Sequence, residues 1–428
     1  MVLLTLGVSL RLLAQGQTPT FRAGIDLIAV DVQVIDKDGT PIRALAPGDF
    51  DVTIGGHRRR VVSADFIEST AVDGSSLDRT ASIAPGPRAT NQWLDGSGAA
   101  RTYMLVFDTD SFTVGESRDV VAAARGFISR LQPIDSVGLY TFPVGPRVEP
   151  TTDHAAVSAS VDTIVGHTQH MPGSFNLTAS EIIDITAELA QSRLAALGRQ
   201  QGPGPVPGAP ALAGNEGEVT RRVQQRECGD DVRCVDEIQA EAQSLAFYLE
   251  GRATEGLNGL RDLIRLLSLE PGRKTMVMFS AGIPTSDRPG GRPDVGDLAK
   301  ALGQDAAATN TTIYVLHFDM GAWRQMAAET RKANSTPVSA SREHAVTGRL
   351  LSEFSGSSGG ALIRVVMGGG DFALTRVLRE TSSHYLLGIE PADSDRDGKL
   401  RDLRVKVSRK GATIRSRIWV VVPPKRET

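Results

Sequence analysis

Short apolar runs alternate with helical patterns over the central part of the chain. Five of these runs are rich in valine, isoleucine and aromatic residues: YMLVF, SVGLYTF, KTMVMFS, TTIYVLHF and SHYLLGI. Runs that are apolar on both faces are typical of buried parallel strands. The segment GESRDVVAAARGFISRLQ, between the first two runs, places apolar residues at helical spacing. The pattern therefore predicts an α/β fold with a doubly wound, mostly parallel sheet over 101–391.

Both flanks of this region alternate apolar and polar residues with period two, which predicts strands with one buried face. A small β unit is predicted at 20–70 and a Ser/Gly/Pro-rich linker at 71–100. Residues 392–428 hold two alternating segments about Lys410 and Gly411, which predicts a β-hairpin. The β unit and the hairpin each have too few strands to bury a face alone. We therefore expect the hairpin to pack on the N-terminal β unit.

The interval between the second and third apolar runs is too long for one crossover connection. We expect a helical insertion at about 174–269, built as a hairpin with a long second helix. Its tip, QGPGPVPGAPALAGNEGE, is rich in proline, glycine and alanine and is predicted to be disordered.

The first 17 residues form an apolar segment that ends near Ala14-Gln15-Gly16, a small-x-small pattern suited to signal peptidase. The segment is interpreted as a signal peptide or as an uncleaved N-terminal anchor. The expected location is extracytoplasmic: periplasmic, envelope-associated or secreted. The membrane is expected to be contacted only through an uncleaved N-terminal segment, because no later stretch reaches the roughly 18 apolar residues of a spanning helix.

The charge balance gives no global field that would attract nucleic acid. The chain has 47 basic and 50 acidic residues, and its formal net charge is −3. This balance argues against a nucleic-acid partner. Its two cysteines, Cys228 and Cys234, lie in one short polar segment. A zinc site would need two further ligands, so the pair is predicted to form a local disulfide.

The first apolar run ends in two carboxylates, Asp108 and Asp110, which are followed by a small polar loop. Carboxylates one residue apart repel each other unless they are solvated, paired or bound to a metal. The sequence leaves two roles open. The pair either holds a divalent cation, or Asp108 ends the strand and caps the loop and the adjacent helix.

Three segments resemble the von Willebrand factor A-like domains, and in particular the secreted bacterial subgroup called VWFA-related proteins. They are YMLVFDTDSF, GRKTMVMFSAGIP and the tail from LSEFSGSSGGALIRV through SSHYLLGIEPADSDRDGKLRDLRVKV to IRSRI. Together with the N-terminal β unit, the resemblance spans nearly all of the chain after its leader. It implies a fold, a doubly wound α/β domain of the von Willebrand A type, more firmly than an activity.

The resemblance also implies a cation site at the carboxyl edge of the sheet, built from Asp-x-Ser-x-Ser, a threonine and a third-loop aspartate. Asp108 matches the first position and Asp110 replaces the first serine, while Phe112 and Ala281 replace two oxygen ligands. The expected site is therefore degenerate. If Mg²⁺ or Ca²⁺ binds, the ligands would be Asp108 and Asp110, with Ser111, Thr113 or Thr178 completing the set.

We interpret the chain as a non-enzymatic binding or scaffold protein with an unidentified protein ligand. Its ligand-binding edge would include Thr113, Ser280 and Asp319, which follow three of the predicted strands. One alternative is a fixed structural subunit of an envelope assembly. The other is a hydrolase in the same cleft. GSSGG has the spacing of a nucleophile elbow, but a helix precedes it and a strand follows, the reverse of what that motif needs.

Overall fold

The structure, a computed structural model, describes residues 27–68, 101–168, 173–200, 217–270, 272–320, 337–366 and 368–424. The predicted leader at 1–17, the linker at 71–100 and nearly all of the insertion tip lie outside these ranges.

The described elements are numbered along the chain. The strands are β1 (Ile28–Ile35), β2 (Phe50–Ile54), β3 (His57–Glu68), β4 (Thr102–Asp108), β5 (Ser136–Phe142), β6 (Arg147–Thr151), β7 (Lys274–Ser280), β8 (Thr311–Phe318), β9 (Ala361–Val365), β10 (Ser383–Glu390), β11 (Leu400–Val407), β12 (Thr413–Arg415) and β13 (Trp419–Val421). The helices are α1 (Ser117–Ile128), α2 (His154–Val161), α3 (Ala179–Gln200), α4 (Glu218–Cys228), α5 (Cys234–Leu267), α6 (Gly296–Ala308), α7 (Pro337–Ser357) and α8 (Gly370–Thr381).

Six strands form a mixed sheet in the order β6-β5-β4-β7-β8-β9. All neighbouring pairs are parallel except β5 and β6. The first four apolar runs are confirmed as β4, β5, β7 and β8, and β7 and β8 are buried along their whole length. Side chains on one face of the sheet pack against α1, α2 and α8. Those on the other face pack against α5, α6 and α7. The prediction of a mixed α/β protein is confirmed.

A second sheet has seven strands in the order β12-β1-β10-β3-β2-β11-β13 and is antiparallel throughout. It joins strands of the predicted N-terminal β unit to strands of the C-terminal segment. The second strand of the predicted hairpin is broken, which corrects the simple hairpin prediction. Its first part, β12, crosses to pair with β1, and its last part, β13, pairs with β11.

The prediction for SHYLLGI was wrong. This run is β10, which lies between β1 and β3 in the antiparallel sheet and not in the parallel one. Tyr385, Leu387 and Ile389 face the core of that sheet. His384, at one of the alternate positions, is also largely buried, and its imidazole lies 3.6 Å from the Asp31 carboxylate of β1. A central strand covered on both faces has the same apolar pattern as a parallel strand.

A buried charge cluster joins the two sheets. Glu380, at the end of α8, has a fully buried side chain. Its carboxylate accepts hydrogen bonds from Arg376 Nε at 2.8 Å, Arg415 Nε at 2.7 Å and Tyr314 Oη at 3.1 Å. Tyr314 lies on β8 and Arg415 on β12, so one carboxylate links the parallel sheet to the antiparallel one.

The helical insertion has its own small core of residues from α3, α4 and α5. The disulfide between Cys228 and Cys234 closes the turn from α4 to α5, which confirms the predicted pairing. With 34 residues, α5 is about 51 Å long. Its first half packs in the insertion core, and its second half packs on the parallel sheet. One continuous helix therefore connects the insertion core to the parallel sheet.

Candidate functional site

The candidate site lies at the carboxyl ends of β4 and β7. Asp108, the last residue of β4, is only 6% exposed. Its Oδ2 accepts a hydrogen bond from Ser280 Oγ of β7 at 2.7 Å, and that hydroxyl in turn accepts one from the Gly282 amide at 3.0 Å. Neighbouring parallel strands end at the same edge of the sheet, and Asp108 and Ser280 were both predicted at this edge. The structure brings them together.

Ser111 links the loop after β4 to the loop after β7. It belongs to a 3-10 turn over Thr109–Ser111. Its hydroxyl donates to the Asp108 carbonyl at 2.8 Å and accepts from the Ala281 amide at 2.9 Å. The hydroxyls of Ser111 and Ser280 thus each donate one hydrogen bond and accept another within the protein.

Asp110 faces the helical insertion, where its Oδ2 lies 2.6 Å from Nη2 of Arg252. The same nitrogen donates to the Asp110 carbonyl at 3.3 Å. Helix α5 passes the end of β5 at Gly256, where a Cβ would lie 3.1 Å from the Phe142 ring. Arg252 is one turn closer to the start of α5, and it therefore reaches beyond the sheet edge to Asp110.

Burial dominates the electrostatics of Asp108. Loss of solvation raises the pKa of its carboxyl to about 7, and the charge of Asp110 acts in the same direction. The Ser280 hydrogen bond and the Arg252 charge oppose the rise in this pKa. Near neutral pH, Asp108 is therefore present in both protonated and ionised forms.

Phe112 and Thr113 have structural roles. The Phe112 ring is buried and meets the Phe318 ring edge-to-face at a centroid distance of 5.7 Å. Thr113 begins a reciprocal cap at the start of α1. Its amide donates to the Glu116 carboxylate at 2.8 Å, and the Glu116 amide donates to its hydroxyl at 3.4 Å. Asp108 ends β4, as one alternative predicted, but among the described residues its carboxylate accepts no hydrogen bond from α1, so the helix-capping part of that alternative was wrong.

Thr178 is not part of the Asp108 constellation. Its hydroxyl contacts Ser180 Oγ at 3.1 Å and accepts from the Glu181 amide at 3.2 Å, which caps the start of α3. None of its hydrogen bonds within the described ranges reaches Asp108 or Asp110.

Asp319 lies at the same edge, after β8, but in a different cluster. Its carboxylate pairs with Arg364, and its Oδ2 is 3.5 Å from His344 Nδ1. The His344 ring stacks on His317 with centroids 4.8 Å apart. Burial, assisted by His344, lowers the pKa of His317 to about 4. The sequence did not predict this stacked histidine pair.

The residues at this edge do not fit a divalent cation. Phe112 is packed in the core, Ala281 has no side-chain oxygen, and both serine hydroxyls are engaged. Arg252 already provides a positive charge at Asp110. No group of three or more His, Cys, Asp or Glu residues suited to a metal occurs among the residues that the structure describes.

Three exposed valines lie on the loop after β4 and on two loops that contact it. Val114 is 59% exposed, Val144 67% and Val165 44%. The Thr109 hydroxyl lies 3.3 Å from the Val144 carbonyl, and the His167 amide donates to the Thr109 carbonyl at 2.8 Å. These contacts hold the loops that carry Val144 and Val165 against the loop that carries Val114. We call these three residues the valine rim.

GSSGG does not form a nucleophile elbow. Ser358 is buried between α7 and β9. Its hydroxyl donates to the Ser355 carbonyl at 2.8 Å and accepts from the Ile313 amide at 2.9 Å. The motif ends a helix and starts a strand, as the sequence predicted.

No protein-family model and no curated protein matches the chain. Among solved structures it is similar to the human COPII-coat protein Sec24c, at 8% sequence identity and a TM-score of 0.27. The match covers 77% of this chain and 44% of Sec24c, so the chain spans less than half the length of that protein. Within the described ranges, no helix is both long and apolar enough to cross a membrane.

Proposed function

We propose that this chain is an extracytoplasmic, non-enzymatic binding protein that docks a protein ligand at the carboxyl edge of its parallel sheet without a divalent cation. The observation that carries the proposal is the contact between Arg252 and Asp110 at the centre of that edge. The Arg252 guanidinium, from the insertion, offsets the charge of Asp110 and Asp108. The resemblance to von Willebrand A-like domains implies a metal ion in this role. The proposed fold assignment, a doubly wound domain of that type, is supported by the parallel order of β5-β4-β7-β8-β9 and by helices on both faces.

The valine rim provides the apolar part of the proposed docking surface. Solvent-exposed apolar side chains grouped beside polar loops are a feature of protein interaction sites. The acidic pair and the rim lie on loops from the same edge, so a ligand covering the rim would also cover Asp110.

The disulfide supports the extracytoplasmic location, because such bonds persist mainly in oxidising compartments. A non-enzymatic role is proposed because the hydroxyls of Ser280 and Ser358 are already engaged in hydrogen bonds within the protein. The Ser280 hydroxyl donates a hydrogen bond to the Asp108 carboxylate, and the buried Ser358 hydroxyl both donates and accepts one within the protein. A hydrolase at this edge remains the weaker proposal.

The test is capture of ligands from an envelope extract of the source cell by three immobilised proteins. They are the wild type, the double variant Val114→Asp/Val144→Asp and the control Val232→Asp. Val232 is 70% exposed in the turn between α4 and α5, away from the edge. We expect wild type and control to capture the same set of proteins in chelator and in Mg²⁺, and the rim variant to lose them.

Equal capture by the rim variant would contradict docking at this edge. Capture only in the presence of a divalent cation would contradict the metal-independent site. A single stoichiometric partner would favour the alternative of a fixed structural subunit, whereas several weaker ligands would favour a binding module.

A further inference from the structure

A second polar site lies away from the carboxyl edge, in a cavity between the parallel and the antiparallel sheets. The cavity has a volume of about 10 Å³. On the same measure one water molecule needs about 10–15 Å³. Its wall includes three arginines, Arg273, Arg415 and Arg417, and one carboxylate, that of Asp31. A space of this size suits a single atom or a water molecule, and its wall carries a surplus of positive charge.

The arginines differ in how their charge is balanced. Arg415 donates from Nε to the Glu380 carboxylate at 2.7 Å. Among the described residues, the Arg417 guanidinium donates only to backbone carbonyls, those of Ala307 at 3.1 Å and Ala29 at 2.9 Å. Arg273 makes no hydrogen bond or ion pair with any other described residue. The Nε atoms of Arg273 and Arg417 are buried without a hydrogen-bond partner in the described part of the chain.

Burying a guanidinium without an anion costs free energy, because the charge loses its hydration. Asp31 balances part of this charge, and Asn310 Nδ2 already donates to its Oδ2 at 3.1 Å. Two guanidinium groups thus face the cavity without a hydrogen-bonded carboxylate. An anion in the cavity would accept hydrogen bonds from the buried Nε groups and offset the remaining charge.

We propose that this cavity is a binding site for a monatomic anion of chloride size, held by Arg273 and Arg417. The bound anion would connect Arg273, just before β7, to Arg417, between β12 and β13. It would thereby stabilise the contact between the two sheets. Burial lowers the pKa of the Arg417 guanidinium, which agrees with a charge that lacks a full counter-ion. The pKa of nearby His384 is also lowered by burial, to about 4, so this imidazole is neutral at neutral pH.

The test measures the melting temperature of the full chain at constant ionic strength while sodium gluconate is replaced by sodium chloride, bromide or phosphate. Gluconate and phosphate are too large for the cavity. We expect the melting temperature to rise with the logarithm of chloride or bromide concentration above the dissociation constant, and to stay constant in phosphate. Chloride NMR line broadening by the folded wild-type protein provides a second measurement of binding.

Arg273→Gln is the test variant, because the Arg273 side chain makes no hydrogen bond with any other residue in the described ranges. Arg409→Gln, on the exposed turn after β11, is the control. We expect Arg273→Gln to lose both the halide-dependent stabilisation and the line broadening, and Arg409→Gln to keep them. An equal response in Arg273→Gln, no response in the wild type, or a response to phosphate alone would each overturn the proposal.

Discussion

Arg252 and Asp110 form an ion pair of 2.6 Å across 142 residues of sequence, between the inserted helix α5 and the loop after β4. The pair is partly buried, and its carboxylate lies beside a second, buried one, that of Asp108. The insertion therefore contributes a charged group to the sheet edge as well as its own helical core. This relationship gives the edge a chemistry that does not depend on a metal.

The first prediction concerns divalent cations. We expect Mg²⁺, Ca²⁺ and chelator to leave the melting temperature of the wild type unchanged at constant chloride concentration and ionic strength. The reason is that Arg252 pairs with Asp110 where a cation would otherwise bind. Arg252→Met should lower the free energy of unfolding by about 1 kcal/mol. The matched control is Arg221→Met, on the exposed side of α4. A rise of several degrees in the wild type with millimolar Mg²⁺ or Ca²⁺ would show that a metal binds after all.

The second prediction follows from the raised pKa of Asp108. A carboxyl whose folded pKa is about 7 binds its proton more tightly in the folded than in the unfolded protein. Its contribution to stability is therefore complete below the unfolded pKa of about 4. That contribution is lost as pH rises through about 7.

Asp108→Asn removes this titration but keeps an oxygen that can accept from Ser280. The stability of the variant relative to wild type should increase as pH rises from about 4 to about 7, by on the order of 1–4 kcal/mol. Urea unfolding across this pH range measures the difference. A constant difference between the two proteins would mean that Asp108 titrates alike in the folded and unfolded chains.

The sequence predicted the parallel strands well, because β4, β5, β7 and β8 are apolar on both faces and helical patterns separate most of them. The same pattern gave a wrong prediction for β10, since a central antiparallel strand that is buried on both faces is also apolar on both faces. The edge position of Asp108 and Ser280 followed from strand ends alone. The Arg252 contact could not be predicted, because it depends on the angle at which α5 leaves the sheet, and nothing near Arg252 in sequence encodes that angle.

The third prediction concerns the disulfide. Thiol labelling of unreduced, denatured protein should find no free thiol at Cys228 or Cys234. Reduction should lower stability by about 2 kcal/mol, as expected for the closure of a short loop. Because both cysteines belong to the insertion core, amide exchange should accelerate mainly in α4 and the start of α5. Two labelled thiols per chain, or faster exchange spread evenly over both sheets, would contradict this prediction.

The fourth prediction concerns Glu380, the buried carboxylate that joins the two sheets. Glu380→Gln keeps the shape of the side chain but removes the charge that balances Arg376 and Arg415. Removing one partner from a buried ion pair costs about 3–5 kcal/mol, because the remaining charges stay buried without compensation. Chemical denaturation should show a loss of this size, while Glu353→Gln, on the exposed face of α7, should change stability by less than about 0.5 kcal/mol. Since Glu380 also accepts from Tyr314 and Arg415, exchange of strand amides should accelerate in both sheets of the variant. A loss confined to the parallel sheet, on which α8 packs, would mean that this carboxylate supports only its own module and does not couple the two.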